Sequence, residues 1–380
     1  MSKNFDLIIV GAGPAGSAAA FTAAKENISV LLLEKHPRIG VPVVCAEGLS
    51  RSTIKDYLDI KPEWISRDLS GSIIRGPDGD EFKVEFPECG WILNRKIFDP
   101  ALANMAEARG AVIKTSARAI NIENNEVIVN ESGEKKRYKF KFLIGADGIA
   151  SNVGKWMGIN TRLNLNDIVV CAQYLIEGIN IESHYTYLII GEEYAPGGYA
   201  WIFPKSDNSA NIGLGIAPTK TKKKAKYFLD KWVKKEFVNG KIVEKRFGGV
   251  PATILKRFSG KNFFLVGDAA RFVNSLNGAG IACSIKSGII AGKNAVLRLK
   301  GEKDYFEKEI KKEILKEIKF HYRIRKAYLK LTDREYKEIF KIAKKIYQGK
   351  RINHINMHHL VKETLLSSPR LFYIGFSLLF

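Results

Sequence analysis

The sequence predicts an α/β protein in three parts: a Rossmann-type dinucleotide-binding domain, an antiparallel β-sheet domain inserted into it, and a helical C-terminal region. Three observations carry this reading. A glycine-rich turn between two apolar runs opens the chain, short alternating runs with turn residues fill its middle, and Lys-rich segments with apolar residues at helical spacing close it.

The opening unit runs from Phe5 to Glu34. An apolar run leads into Gly11-Ala12-Gly13-Pro14-Ala15-Gly16, an alanine-rich helix follows, and a second apolar run ends at Glu34, which makes one βαβ unit. In such a turn the first glycine permits the bend, the second lets the backbone approach a pyrophosphate, and the third lets helix and strand pack closely. The helix N-terminus then offers free N–H groups and a partial positive charge to phosphate oxygens. Glu34 lies roughly twenty residues on, the distance at which a carboxylate meets a ribose diol. It disfavours a 2′-phosphate, an exclusion softened by Lys35, His36 and Arg38.

After Glu34 a Pro- and Gly-punctuated loop through Cys45-Ala46-Glu47-Gly48-Leu49 can lie across a ligand of the first unit. Ser70 to Phe86, broken by Gly76-Pro77-Asp78-Gly79, reads as a hairpin from another layer. Pro100 to Arg109 reads as a helix stopped by Gly110, Ala111 to Ala119 as a strand, and Val127 to Phe142 as a hairpin running into Ala146-Asp147-Gly148. Four alternating runs between Ile168 and Ile216 read as an antiparallel sheet. Phe263 to Val266 returns to a buried parallel strand, followed by Gly267-Asp268-Ala269-Ala270 and a helix from Ile281 to Leu299. The expected division is therefore 1–70, 92–160 and 258–300 for the dinucleotide-binding domain, 71–91 and 161–257 for the inserted sheet, and 301–380 for the helical region.

Composition narrows the function. The net charge of +21 points to an anionic partner or to a generally Lys-rich surface. The region from residue 301 carries about nine excess positive charges on helices with one apolar stripe, which fits either packing on the preceding domain or a membrane surface. No recognised nucleic-acid motif accompanies the charge. Cys45, Cys89, Cys171 and Cys283 form no CxxC pair, and the chain is expected to be cytoplasmic and reduced. His354, His358 and His359 have near-helical spacing but no glutamate base between them, so no metal is expected. The apolar tail from Leu371 to Phe380 is too short to cross a bilayer.

Three further matches give a resemblance. Pro196-Gly197-Gly198-Tyr199-Ala200-Trp201-Ile202-Phe203-Pro204 fits PxxYxWxFP, the Cys45 to Leu49 segment is similar to a cysteine-containing loop beside a flavin, and Arg95-Lys96-Ile97-Phe98-Asp99 is similar to RxxFD. With the Gly11 and Asp268 turns in order, the chain resembles the geranylgeranyl reductase family, within the flavoproteins of p-hydroxybenzoate hydroxylase fold. The resemblance covers residues 1–300 well and the helical tail loosely.

It implies FAD held by Gly11, Gly13, Ala15, Gly16, Glu34, Cys45, Ala46, Gly48, Arg95, Ala119, Asp268, Gly280 and Ile281. It also implies an isoprenoid cavity lined by Tyr199 and Trp201, with Phe203 on the same sheet face, although such a stripe alone is more often core. The implied reaction is hydrogenation of isolated C=C bonds in geranylgeranyl chains, as of digeranylgeranylglycerophospholipids, with electrons from ferredoxin or NAD(P)H. Cys45 is the candidate catalytic residue by loop position. A peripheral site at the inner face of the membrane follows from such a lipid substrate. The alternative is an FAD-dependent monooxygenase or halogenase of the same fold, since the Tyr199 strand is similar to WxWxIP; tyrosine in place of the first tryptophan counts against it. The sequence departs from the family at Asn274-Ser275 and at Ala279, and no arginine follows Asp147-Gly148, where Gly154-Lys155 stands near its place.

Overall fold

The computed structural model describes residues 3–352 and 357–367. Two sheets organise it. In the first, strands run in the order Val112–Lys114, Val30–Leu33, Lys3–Val10, Glu134–Gly145, Glu126–Glu131 and Ala117–Glu123, and Phe263–Leu265 adds to the Glu134–Gly145 strand. The parallel registers pair Val10 with both Leu33 and Gly145, and Gly145 with Leu265. Those strands therefore end level, and Gly11, Glu34, Ala146 and Val266 emerge side by side along one edge. That edge is where an open parallel sheet holds its ligand.

Two helices, Pro14–Ala23 and Ile281–Leu299, lie together on this sheet. Small residues let them meet backbone to backbone: a Cβ at Gly288 would sit 2.2 Å from the Ala15 carbonyl oxygen, and one at Gly292 2.5 Å from that of Ala19. The aliphatic strands Leu7–Val10 and Val30–Leu33 are fully or almost fully buried beneath them.

The second sheet has eight strands in the order Lys241–Pro251, Ile168–Glu177, Ser209–Ile216, Tyr199–Ser206, Tyr185–Ile189, Ile65–Arg75, Glu81–Leu93 and Gly48–Ser50. Every pairing is antiparallel except Tyr185–Ile189 with Ile65–Arg75. Period-two alternation divides its side chains between two environments. Ala172, Tyr174, Ile176, Ile202, Ile212 and Leu214 pack under the helix Ala225–Glu236 through Leu229 and Trp232. Cys171, Gln173, Tyr199, Trp201 and Phe203 point the other way and line a cavity.

The expected plan needs four adjustments. The hairpin strand starts at Ile65, five residues earlier than expected, and Gly48–Ser50 also joins the second sheet. The strand expected over 111–119 is two strands broken at Ser116, whose φ of 50° turns the chain. The helix expected to begin at Pro100 begins at Arg95, with Pro100 inside it. The sheet expected to be purely antiparallel contains one parallel pair.

The basic C-terminal helices spend their apolar stripes on the protein. Phe306, Ile310, Ile314, Leu315 and Ile318 join the core of the first sheet, with Phe306 stacked on Phe264 at 3.9 Å. Helix Asp333–Tyr347, opened by a Thr332–Glu335 capping box, sets Phe340 on Phe82 of the hairpin. Among the described residues no helix is long and apolar enough to cross a membrane. The tail from Leu371 and His354 lie outside the described residues.

Candidate active site

A cavity of about 990 Å³ runs from Gly13, Pro14 and Ala15 at the first sheet's edge, between the sheets, to the helices of residues 320–365. Its first end is built by backbone. Gly11, at φ 103°, abuts the next strand so closely that a Cβ would sit 2.3 Å from the Ala146 carbonyl oxygen. A Cβ on Gly16 would lie 1.8 Å from the Gly11 carbonyl oxygen. At Gly13 a Cβ would meet nothing within 4 Å, because that position faces the open cleft. No side chain caps the helix that begins at Pro14, which leaves its N-terminal donors for a ligand. Glu34, buried at the neighbouring strand end, accepts from the Ala12 and His36 N–H groups at 3.0 and 2.9 Å.

Asp268 lies on the cavity wall beside Gly280, and its carboxylate has no hydrogen-bond partner among the described residues. Burial drives its pKa up to about 6, against a smaller opposing pull from Arg95. A carboxylate left unsatisfied on a cavity wall calls for a donor such as a hydroxyl. Gly280 opens the helix Ile281–Leu299 without a side-chain cap, so its first N–H groups are also free. Arg95 reaches the same wall while holding Asp99 through two bonds of 2.5 and 2.6 Å. These groups fit a dinucleotide lying from Gly13 to Gly280: donors for phosphate, acceptors for ribose and ribityl hydroxyls, and open space over Gly13.

The opposite wall is held by side chains. Glu47, at φ 73° and almost fully buried, anchors the Cys45 loop. Its carboxylate accepts from Lys205 Nζ at 3.0 Å, Asn211 Nδ2 at 2.7 Å, Arg246 Nη1 at 3.2 Å and the Arg95 N–H at 3.0 Å. Burial raises its pKa, but Lys205 and these donors outweigh burial and hold it below the ordinary carboxylate range. Gln173 bridges the loop to the sheet, donating to the Cys45 carbonyl at 3.1 Å and accepting from Trp201 Nε1 at 2.9 Å. Tyr199, Trp201 and Phe203 form a row with centroid separations of 5.7 and 6.3 Å. Gly213 makes room for the indole, since a Cβ there would lie 2.6 Å from it. Tyr199 donates to the Asn277 carbonyl at 2.6 Å, which ties this row to the loop ahead of Gly280. Burial pushes the Cys45 thiol up, so it stays protonated at neutral pH.

Of the residues expected at the site, Gly13, Ala15, Cys45, Ala46, Gly48, Arg95, Tyr199, Trp201, Phe203, Asp268, Gly280 and Ile281 line this one cavity. Gly11, Gly16 and Glu34 shape the turn behind it. Ala119 does not line it; it packs, half-buried, against the first sheet's core. Asp147 spends both carboxylate oxygens on its own turn, accepting from Ser151 Oγ and the Val153 N–H. Glu47, Gln173, Lys205, Asn211 and Arg246 were not anticipated as a network. The available signal was a polar residue inside each apolar strand, Gln173 and Asn211. His358 stacks on Phe320 at 3.9 Å, and the described residues contain no cluster able to hold a metal ion.

Residues 167–250 match the geranylgeranyl reductase catalytic domain, and residues 9–46 an NAD(P)-binding Rossmann-like domain. A digeranylgeranylglycerophospholipid reductase of Methanocella arvoryzae is 37% identical, over 98% of this chain and 98% of its own length. The chain belongs to the geranylgeranyl reductase family. A second such reductase, from Methanosarcina acetivorans, is 42% identical over 78% of this chain and 76% of its own. The geranylgeranyl bacteriochlorophyll reductase-like protein of Thermoplasma acidophilum superposes with a TM-score of 0.90 at 27% identity, over the full length of both chains. The flavin-dependent brominase Bmp2, at 19% identity and a TM-score of 0.67, shares the fold. This family member is thus an oxidoreductase with a flavin cofactor.

Proposed function

We propose that the protein binds FAD along the Gly13 to Gly280 cleft and hydrogenates isolated C=C bonds of geranylgeranyl chains on digeranylgeranylglycerophospholipids, drawing electrons from an external donor, ferredoxin or NAD(P)H. The observation that carries the proposal is the continuity of the cavity: one space joins the glycine turn and Asp268 to a mostly apolar chamber walled by Tyr199, Trp201 and Phe203. When bound and reduced, FAD supplies a hydride equivalent. The chain's own residues do the rest. Gly13 and the helix from Pro14 receive the pyrophosphate, Glu34 the ribose diol, and Asp268 a ribityl hydroxyl. An isolated alkene has no electron-withdrawing handle, so placement contributes much of the rate. The aromatic row fixes one wall of the chamber, and the Glu47 network fixes the Cys45 loop beside it. The Cys45 thiol, kept protonated by burial, is the candidate proton source at its Sγ. Contact with the inner face of a membrane is supported by the net charge and by Val44 and Phe247, both cavity-lining and about half exposed.

The test is product analysis with the reduced protein and a geranylgeranyl lipid, wild type against Ala327→Trp. Ala327 lines the chamber far along the chain from the cofactor turns. The bulky ring is expected to cut turnover of the long-chain substrate at least ~10-fold by occlusion while leaving flavin content unchanged. Unaltered turnover would refute the chamber as the place where the isoprenoid lies.

A further inference from the structure

The helical end of the cavity contains a charge that the fold leaves unanswered. Arg325 is 3% exposed and lines the cavity, and no carboxylate, carbonyl or hydroxyl bonds to its guanidinium among the described residues. Its Nε is buried without a partner. The groups whose charge it feels are Tyr328, Tyr336 and Cys171, none of them an acid at neutral pH. The other buried guanidinium groups on this cavity have their anions among the described residues: Arg95 holds Asp99, and Arg246 holds Glu47 and Glu244. Two buried hydroxyls on the same cavity, Ser275 Oγ and Thr364 Oγ1, are also without partners. Arg323, two residues before Arg325 on the helix Lys316–Tyr328, lines the cavity from an exposed position.

A guanidinium cannot shed its proton, so its burial without a counter-ion is a penalty that no other group among the described residues offsets. A planar fork of donors is completed best by the paired oxygens of a carboxylate or phosphate. We propose that Arg325, supported by Thr364 and Ser275 and approached past Arg323, is the receptor for the phosphate ester of the lipid substrate. The inference rests on the lipid-reductase reading and specifies which end of the lipid the helical region holds. The prenyl chain then runs from this anchor toward Trp201 and the flavin cleft, and the phosphate measures how deep the alkenes reach. On this assignment Arg325 is a specificity-determining residue: it separates a phosphorylated lipid from the neutral alcohol of the same tails.

The test compares wild type, Arg325→Met and Arg325→Lys, all loaded with flavin, with three probes: digeranylgeranylglyceryl phosphate, the neutral digeranylgeranylglycerol, and inorganic phosphate. Binding is read as a thermal shift, independently of turnover, and KM is measured for both lipids. Wild type is expected to prefer the phosphate ester, and Arg325→Met to lose that preference by ~10- to 100-fold in the ratio of the two KM values, with Arg325→Lys between them. Without lipid, Arg325→Met is expected to melt no lower than wild type, because the apolar side chain relieves an unpaired charge. Equal binding of both lipids by wild type, an equal loss of both in Arg325→Met, or a drop in its lipid-free melting temperature would overturn the assignment. So would stabilisation by inorganic phosphate that matches the ester, since the site would then take the free ion. Preferential binding of the ester without its reduction would leave this site standing and refute the reductase reading instead.

Discussion

The two walls of the cavity are made by opposite means. The cofactor wall is backbone: Gly11, Gly13 and Gly16 matter for the side chains they lack, and the helix starts at Pro14 and Ile281 present bare N–H groups. The chamber wall is side chain: Glu47 gathers Lys205, Asn211 and Arg246 from positions 158, 164 and 199 residues away. A wall of the first kind binds the constant part of a reaction, a cofactor, with groups that cannot change identity by mutation. One of the second kind can be retuned residue by residue, which suits the wall that faces the substrate.

The contrast is sharpest at Glu47. Glu47→Gln leaves Lys205 and Arg246 as buried cations without their shared acid, and is expected to cost ~3–5 kcal/mol in denaturant unfolding. If the loss is confined to the chamber wall, flavin content measured on the surviving folded fraction stays near wild type. Gly16→Ala attacks the other wall. Its Cβ would overlap the Gly11 carbonyl, so the expected cost is ~3 kcal/mol with loss of bound flavin in the same preparation.

Gly13→Ala separates binding from folding within the cofactor wall. A Cβ there meets nothing in the protein, so the flavin-free melting temperature is expected to be unchanged, while flavin affinity falls ~10-fold or more by titration. Equal affinity would mean that the pyrophosphate does not pass over this position. The smallest effect is expected at Asp268. Burial raises its pKa to about 6 from an ordinary aspartate's 3.8, so the folded state binds the proton more tightly than the unfolded state does. Stability of the flavin-free protein therefore declines as pH rises through about 4 to 6 and stays lower above it. Asp268→Asn removes that decline, a gain of ~1 kcal/mol at pH 7.5 after allowance for solvent in the cavity, and weakens flavin binding.

The same contrast explains what could be read in advance. The glycine turn, Glu34 and the Asp268 turn announce themselves within thirty or so residues of local pattern, because backbone geometry restricts which residue types can stand there. Tyr199, Trp201 and Phe203 were legible through strand alternation, as a single face. The Glu47 network was not, since its partners lie on separate strands and only tertiary pairing brings them together. Arg325 reads in sequence as one more cation on a basic helix; only burial distinguishes it from Lys326 beside it. The helix at Arg95 was misjudged because Pro100 looks like a first-turn residue, whereas Asn94 begins the helix and Pro100 sits where the first full turn is already closed.

The most direct measurement is an anaerobic single turnover. The flavin-loaded protein is reduced chemically, mixed with digeranylgeranylglyceryl phosphate, and followed by flavin absorbance with mass spectrometry of the lipid. Reoxidation without oxygen, in step with a gain of two hydrogens per alkene consumed, is the expected result. Flavin that stays reduced until oxygen is admitted, followed by a hydroxylated or halogenated product, would contradict it.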